Sequence, residues 1–347
     1  MKILHTADWH LDAPLQGHSP QLRQELAAVP GKILALCKQE RCDLVLIAGD
    51  VFDRAYTPYT YQNLYDVLKA MDVPVFITPG NHDFTGPDSP WIRELWPSNV
   101  HIFTASGISS VAVPELDLRV YGAGFGGMDC PGLLENFTAR QEETYAVGIF
   151  HGDPTQVNSD YNPITKQQVQ DSGLDYLALG HIHKADAFTA GKTLCAWPGC
   201  PMGTGYDEPG EKGVYIVDLQ ETAALRFVPL DTPRFYDLQC EPDRLGSVLP
   251  PVGNSDYYRV TLVGSCQPPD TDALQAEFAR FPNLVLRDKT TRPVDVWSSL
   301  GQDNFEGVFF GILKQAKEAA PEEEKQEIRL AAEIARQLMD GQEVVLP

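Results

Sequence analysis

The chain has 347 residues, 43% of them hydrophobic and 22% charged, the balance of a globular protein too long for one core. A formal charge of −21 excludes a protein that grips nucleic acid through a broad basic surface, because that mode needs clustered Lys and Arg. No apolar run approaches the roughly 18 residues of a membrane span, and the seven cysteines are scattered without a Cys-x-x-Cys pair, which argues against structural zinc and for reduced thiols.

The start, Met1 to Asp8, lacks the apolar stretch and cleavage site of a secretory leader and reads as that of a cytoplasmic protein. The first half then repeats one pattern, a short apolar strand that ends in ionisable residues. Ile3-Leu4 leads to Asp8 and His10, Leu44 to Ile47 leads to Asp50, and Val73 to Ile77 leads to Asn81 and His82. Tyr145 to Phe150 leads to His151, and Tyr176 to Leu179 leads to His181 and His183. Fully apolar strands imply sheets covered on both faces, and their alternation with helices implies an α/β architecture. Leu64, Val67, Leu68 and Met71 mark one crossover helix, and Ile33, Leu34, Leu36 and Cys37 predict another that begins after Pro30-Gly31. Gly152 to Gly173, with Asp153, Asn158, Asp160 and Tyr161, reads as an ordinary surface loop rather than a lining of the substrate path.

After Asp231-Thr232-Pro233 the character changes. A strand over Tyr257 to Val263, a helix over Asp272 to Phe281 and a strand over Asn283 to Arg287 predict a small α/β appendage. Two helices follow. Phe305, Val308, Phe309, Ile312, Leu313 and Ala316 form one stripe on the first. The second opens with Pro321 and three glutamates, closes near Gly341, and carries Ile328, Ala331, Ala332, Ala335, Leu338 and Met339 on one face. The expected division is a main domain over residues 1–235, a small α/β cap over 236–300 and a helical segment over 301–347.

Asp8-Trp9-His10 offers an oxygen and a nitrogen at i and i+2, which an extended strand end would turn to the same side, toward one ion. Gly49-Asp50-Val51-Phe52-Asp53 brings a carboxylate out of a tight turn, positioned to bridge two metals. Gly80-Asn81-His82-Asp83 adds a neutral amide oxygen, and His151-Gly152 and Gly180-His181-Ile182-His183 complete the set. A single histidine at a strand end is more often structural than a ligand, yet five of the eight histidines fall at such ends within three residues of Gly or Asp. His5, His18 and His101 are assigned to structure. Mixed nitrogen and oxygen donors without thiolate suit manganese, iron or zinc. Two divalent ions bring four positive charges, of which Asp8 and Asp50 remove two, leaving a local attraction for phosphate in an acidic chain.

In this order the five blocks resemble those of the calcineurin-like metallophosphoesterases: Asp-x-His, Gly-Asp-x-x-Asp, Gly-Asn-His-Asp, His, and Gly-His-x-His. The resemblance implies a four-layer sandwich of two central β-sheets flanked by helices, with the small α/β cap and C-terminal helices added to it. By position it implies one metal held by Asp8, His10, Asp50 and His183 and another by Asp50, Asn81, His151 and His181, with manganese as the metal. A bridging hydroxide would attack the phosphorus, His82 would stabilise the transition state and protonate the leaving oxygen, and Asp53 would orient His82. Leu4 to Leu11, Gly49 to Asp53, Trp197 to Pro201 and Lys212 to Tyr215 look most like the SbcD and YhaO-type DNA repair exonuclease branch, although Cys200 stands where a Ser is usual. That branch implies DNA as substrate, cut by a 3′-to-5′ exonuclease or single-strand endonuclease, an SbcC-like coiled-coil ATPase docked on the C-terminal helices, and a homodimer. Two other readings remain open: a phosphodiesterase on small nucleotides or other diesters, which the acidic balance favours, and a non-catalytic scaffold subunit, against which the intact His82 and Asp53 argue.

Overall fold

The computed structural model describes residues 1–15, 20–140, 142–253, 255–293 and 295–341; His18 and the last six positions of the C-terminal segment lie outside them. The chain divides into two compact units, Met1–Asp237 with Pro251–Arg259 and Arg280–Leu284, and Leu238–Pro250 with Val260–Ala279 and Val285–Pro347. The elements run β1 (Lys2–Thr6), α1 (Pro20–Glu40), β2 (Leu44–Ile47), α2 (Pro58–Ala70), β3 (Val75–Ile77), α3 (Pro90–Arg93), β4 (Val100–Ile102), β5 (Ser109–Val113) and β6 (Leu118–Gly122). There follow β7 (Tyr145–His151), α4 (Lys166–Asp171), β8 (Tyr176–Gly180), β9 (Asp186–Ala190), β10 (Thr193–Trp197), β11 (Gly213–Leu219) and β12 (Ala223–Pro229). The rest comprises β13 (Phe235–Cys240), α5 (Leu245–Val248), β14 (Tyr257–Leu262), α6 (Thr271–Glu277), β15 (Leu284–Asp288), α7 (Phe305–Ala319) and α8 (Glu322–Met339).

Two six-stranded mixed sheets face each other in the first unit, one ordered β12-β11-β1-β2-β3-β4 and the other β5-β6-β7-β8-β10-β9. β1 to β4 are parallel, as are β6, β7, β8 and β10, so the carboxyl ends of the central strands share one edge in each sheet. Along β2 the side chains alternate between two cores: Leu44 and Leu46 pack toward Val147, Ile149 and Ala178 of the second sheet, while Val45 and Ile47 pack against Leu26, Ile33 and Leu64 from α1 and α2. A third core covers the far face of β7 and β8, where Phe150, Leu177 and Leu179 meet Val169 of α4. Helix, sheet, sheet and helix are thus stacked in four layers, and the continuous apolar strands read from the sequence are those buried on both faces.

Local signals explain the helix starts. Thr57 caps α2 by accepting from the Thr60 N–H at 3.1 Å, with Pro58 just inside, and Thr165 and Gln168 make a reciprocal capping box on α4. The expected start of α1 after Pro30-Gly31 is corrected: the helix begins at Pro20 and runs through Pro30. Leu22, Leu26, Val29 and Ile33 form one buried face across the proline, and burying it outweighs the roughly 3 kcal/mol that an internal proline costs.

β13, β14 and β15 form a three-stranded sheet. In the second unit α7 and α8 enclose a small core of Val296, Phe310 and Ala332, with the guanidinium of Arg336 4.0 Å from the centre of the Phe310 ring. The stripe expected on α7 is divided: Phe310 takes the buried position and Phe309 and Leu313 flank it, whereas Phe305, Val308 and Ile312 are exposed. Four phenylalanine and valine positions within six residues made the stripe readable in more than one phase.

Candidate metal centre

The segments that follow β1 and β2 run side by side, joined by backbone bonds from the N–H groups of Asp8, His10 and Leu11 to the carbonyls of Gly49, Asp50 and Val51 at 2.9 to 3.0 Å. β1 ends at Thr6, so Asp8 and His10 do not lie on extended chain as their spacing suggested. Their φ values of 55° and 47°, and 51° at Asp50, belong to the left-handed region, and it is a pair of left-handed turns that aims these side chains inward. Such conformations cost about 1–3 kcal/mol each outside glycine and persist where the surroundings fix them. Gly49, at φ 93°, must be glycine for a second reason: a Cβ there would lie 2.3 Å from Nδ1 of His151.

All seven residues read as ligands converge at the edge shared by the two sheets. Donor atoms of Asp8, His10 and His183 lie within 4.8 Å of one another, as do those of Asp8, Asp50 and His151, and either group could hold an ion. Oδ2 of Asp50 stands between the two halves, 3.3 Å from Nε2 of His151 and 3.9 Å from Nε2 of His10. Asn81 brings its amide oxygen 2.9 Å from Nε2 of His151 and 3.2 Å from Nδ1 of His181. The Nε2 atoms of His10 and His183 are 3.1 Å apart. Two imidazole lone pairs that face each other must share a proton or a cation, so this donor set fits a pair of divalent ions.

Electrostatics point the same way. Burial pushes the Asp8 carboxyl up; burial does so at Asp50 too, but the imidazoles of His151, His10 and His82 outweigh it there and hold the carboxyl well below its usual range. His181 drops to about 4 through burial and the neighbouring His151. Burial lowers His151 and His183 as well, yet Asp50 for the former and Glu208 for the latter carry them up to about 9. These carboxylates draw cations to the ring nitrogens, whether protons or metal.

His82 lies beside this cluster, half-buried, with Nδ1 2.6 Å from Oδ1 of Asp53. That hydrogen bond raises the imidazole pKa against the opposing effect of burial. His5 and His101 stand apart: His5 is buried between the Tyr176 hydroxyl at 2.7 Å and the Leu179 carbonyl at 3.0 Å, and His101 stacks on Phe76.

Four contributors were given no role at the site by the sequence reading. The buried Asp83 accepts the backbone N–H groups of Val51, Phe52 and Gly80, and so fastens the turn that carries Asp50 to the one that carries Asn81. Its place immediately after His82 was the available signal. Asn162, fully buried, donates to the His151 carbonyl at 2.9 Å, and the Tyr161 ring packs 4.7 Å from that of His181. The stretch expected to be an ordinary surface loop therefore backs two of the seven residues. Glu208 meets Nδ1 of His183 from a Gly-rich turn that nothing local marks out. Cys200 is buried with its thiol directed at the His183 carbonyl, 3.7 Å away.

Comparison with known proteins adds four findings. The family model described as calcineurin-like phosphoesterase matches residues 1–185. The uncharacterized metallophosphoesterase YhaO of Bacillus subtilis is 30% identical over 243 residues, covering 62% of this chain and 57% of that protein. A component of the nuclease SbcCD from the same organism is 28% identical over 265 residues, covering 63% and 66%. The match thus spans less than two thirds of either relative. A dimetal phosphatase from Danio rerio superimposes with a TM-score of 0.45 at 12% identity, over 65% of this chain and 95% of that one.

Proposed function

The chain belongs to the calcineurin-like phosphoesterase family, and from that premise we propose that it is a two-metal phosphodiesterase that hydrolyses DNA, working in the cytoplasm as the nuclease of a DNA repair complex. The observation that carries the hydrolytic reading is the convergence of Asp8, His10, Asp50, Asn81, His151, His181 and His183 around Asp50, with the His82–Asp53 pair 2.6 Å apart beside them. The 28% identity to a component of a nuclease supports DNA as the substrate.

In this reading Asp8, His10, Asp50 and His183 would hold one divalent ion and Asp50, Asn81, His151 and His181 the other, with manganese as the metal. When bound, such a pair supplies a nucleophilic water at neutral pH and neutralises charge on the phosphoryl oxygens. The protein does the rest. Asp53 accepts a hydrogen bond from Nδ1–H of His82 and favours the imidazolium, which leaves Nε2 to donate to the phosphoryl or leaving oxygen. Residues 1–235 would act as the catalytic domain, 236–300 as a cap, and 301–347 as the docking segment for a coiled-coil ATPase, for which exposed Phe305, Val308 and Ile312 offer apolar contacts.

The test is manganese-dependent cleavage of end-labelled single- and double-stranded DNA by the wild type and His82→Asn, with bis(p-nitrophenyl) phosphate in parallel. The variant is expected to keep its metal and lose about 10²–10⁴ in rate. Turnover of the small diester with DNA left intact would replace the nuclease reading by a phosphodiesterase on small diesters, which the charge of −21 favours. Turnover of neither substrate would leave a scaffold subunit.

A further inference from the structure

Glu208 lies outside every motif that the ligands occupy, in the turn between Gly203 and Gly210. Oε1 meets Nδ1 of His183, while Oε2 accepts from the Thr204 backbone N–H at 2.7 Å and the Thr204 hydroxyl at 2.9 Å. The carboxylate is thus fixed from behind by its own loop, and the Glu208 side chain is only 11% exposed.

The chain on either side of this turn, between β10 and β11, also grips the backbone of His183. The Lys212 ammonium donates to the His183 carbonyl at 3.2 Å, alongside the Cys200 thiol, and a Cβ on Gly199, at φ 74°, would lie 2.5 Å from that oxygen. The loop is anchored in turn: the Tyr206 ring stands edge-on to Phe235 and lies under the Arg259 guanidinium at 4.4 Å. With Nδ1 taken by the carboxylate, Nε2 of His183 is the nitrogen that faces His10. The partners differ at the other half of the centre, where Nδ1 of His151 lies 3.0 Å from the Ala48 carbonyl and Nδ1 of His181 3.2 Å from the Asn81 amide oxygen. The nearest carboxylate oxygen to Nδ1 of His151, Oδ1 of Asp8, is 3.9 Å away, beyond hydrogen-bond distance, so a carbonyl holds that nitrogen where a carboxylate holds Nδ1 of His183. A carboxylate in that position settles which ring nitrogen carries the proton and makes the other a stronger donor.

We propose that Glu208 is a positioning residue for His183, so that the metal subsite of Asp8, His10 and His183 binds its ion more tightly than it would with a neutral partner on that ring. This inference rests on the two-metal reading. It makes the two subsites unequal by construction.

The test titrates manganese(II) into the metal-free full chain by calorimetry, with bound ions counted by electron paramagnetic resonance. The wild type is expected to bind two ions. Glu208→Gln is expected to bind one as the wild type does and the other about 10–100-fold more weakly. Thr204→Val, which frees Oε2 from one of its two bonds, is expected to weaken the same ion less. Unchanged affinities in Glu208→Gln, or an equal loss at both subsites, overturn the inference. If circular dichroism shows Glu208→Gln unfolded, Thr204→Val decides: selective weakening of one ion supports the inference and wild-type binding overturns it. A wild type that binds no manganese overturns the two-metal reading itself.

Discussion

His5 is uncharged in the folded protein because burial lowers its pKa to about 3, against the raising effect of the Leu179 carbonyl. The unfolded chain takes up that proton near an ordinary value of about 6.5. Stability from this residue is therefore complete above about pH 6.5 and is lost as the pH falls toward 3, at up to about 1.4 kcal/mol per unit. Between pH 7 and pH 5 the loss should be about 2 kcal/mol. His5→Gln should flatten the decline in that window, whatever it costs at pH 7. Urea denaturation of both proteins at the two pH values checks this, and parallel declines would remove His5 as the cause. The contrast with the other histidines bears on what a sequence can reveal. His5 precedes Asp8 by three residues and looks as reactive as His10, but it lies on the face of β1 that packs between the sheets. Residue type and position at a strand end were enough to select the seven candidate ligands, because few side chains can bind a hard cation. They could not select Glu208, whose contact with His183 spans 25 residues of chain and depends on how a glycine-rich turn folds back.

At the scale of elements, the turns after β1 and β2 are more exacting than the strands they end. Gly49→Ala adds a Cβ in the left-handed region and against the His151 ring, so it should destabilise by several kcal/mol, about 1–3 of them from backbone strain alone. It should also lower manganese affinity, because His151 must move. Differential scanning fluorimetry with and without manganese would measure both, and wild-type behaviour would refute this account of the turn. In α7 the division between buried and exposed apolar residues makes a paired prediction. Phe310→Ala should cost about 3–5 kcal/mol, and Val308→Ser should stay within about 0.5 kcal/mol of wild type. Chemical denaturation of the two variants tests the assignment, and equal losses would contradict it. β1, β2, β3, β7 and β8 were legible because burial on both faces leaves uninterrupted apolar runs. The hairpin of β11 and β12 was not singled out as one, since on β12 exposed and half-buried residues alternate and the pattern resembles ordinary surface chain. The first turns of α1 were lost for a different reason: Pro30 is a stop signal in isolation, and only the tertiary face of Leu22, Leu26 and Val29 overrides it.

For the whole molecule, the decisive relation is between the two sheets and the net charge of the chain. A chain at −21 repels a polyanion except where cations are concentrated, so the DNA hydrolysis proposed above should depend on bound metal for encounter as well as for chemistry. Removing the ions with a chelator should lower the melting temperature, since an ion at a hundred times its dissociation constant contributes about 2.7 kcal/mol to the folded state. An unchanged melting temperature would mean that no ion is held. One proposed ion would take donors from the ends of β1 and β2 in one sheet and β8 in the other, and the second from the ends of β2 and β3 in the first sheet and β7 and β8 in the other. Once loaded, the centre is a clasp across the open rim of the sandwich, and the layers can no longer separate there without releasing an ion. Amide hydrogens at the rim of β7 and β8 should then exchange with deuterium at rates set by the manganese concentration, in step with those after β1 and β2. Without metal, the two rims should fray independently.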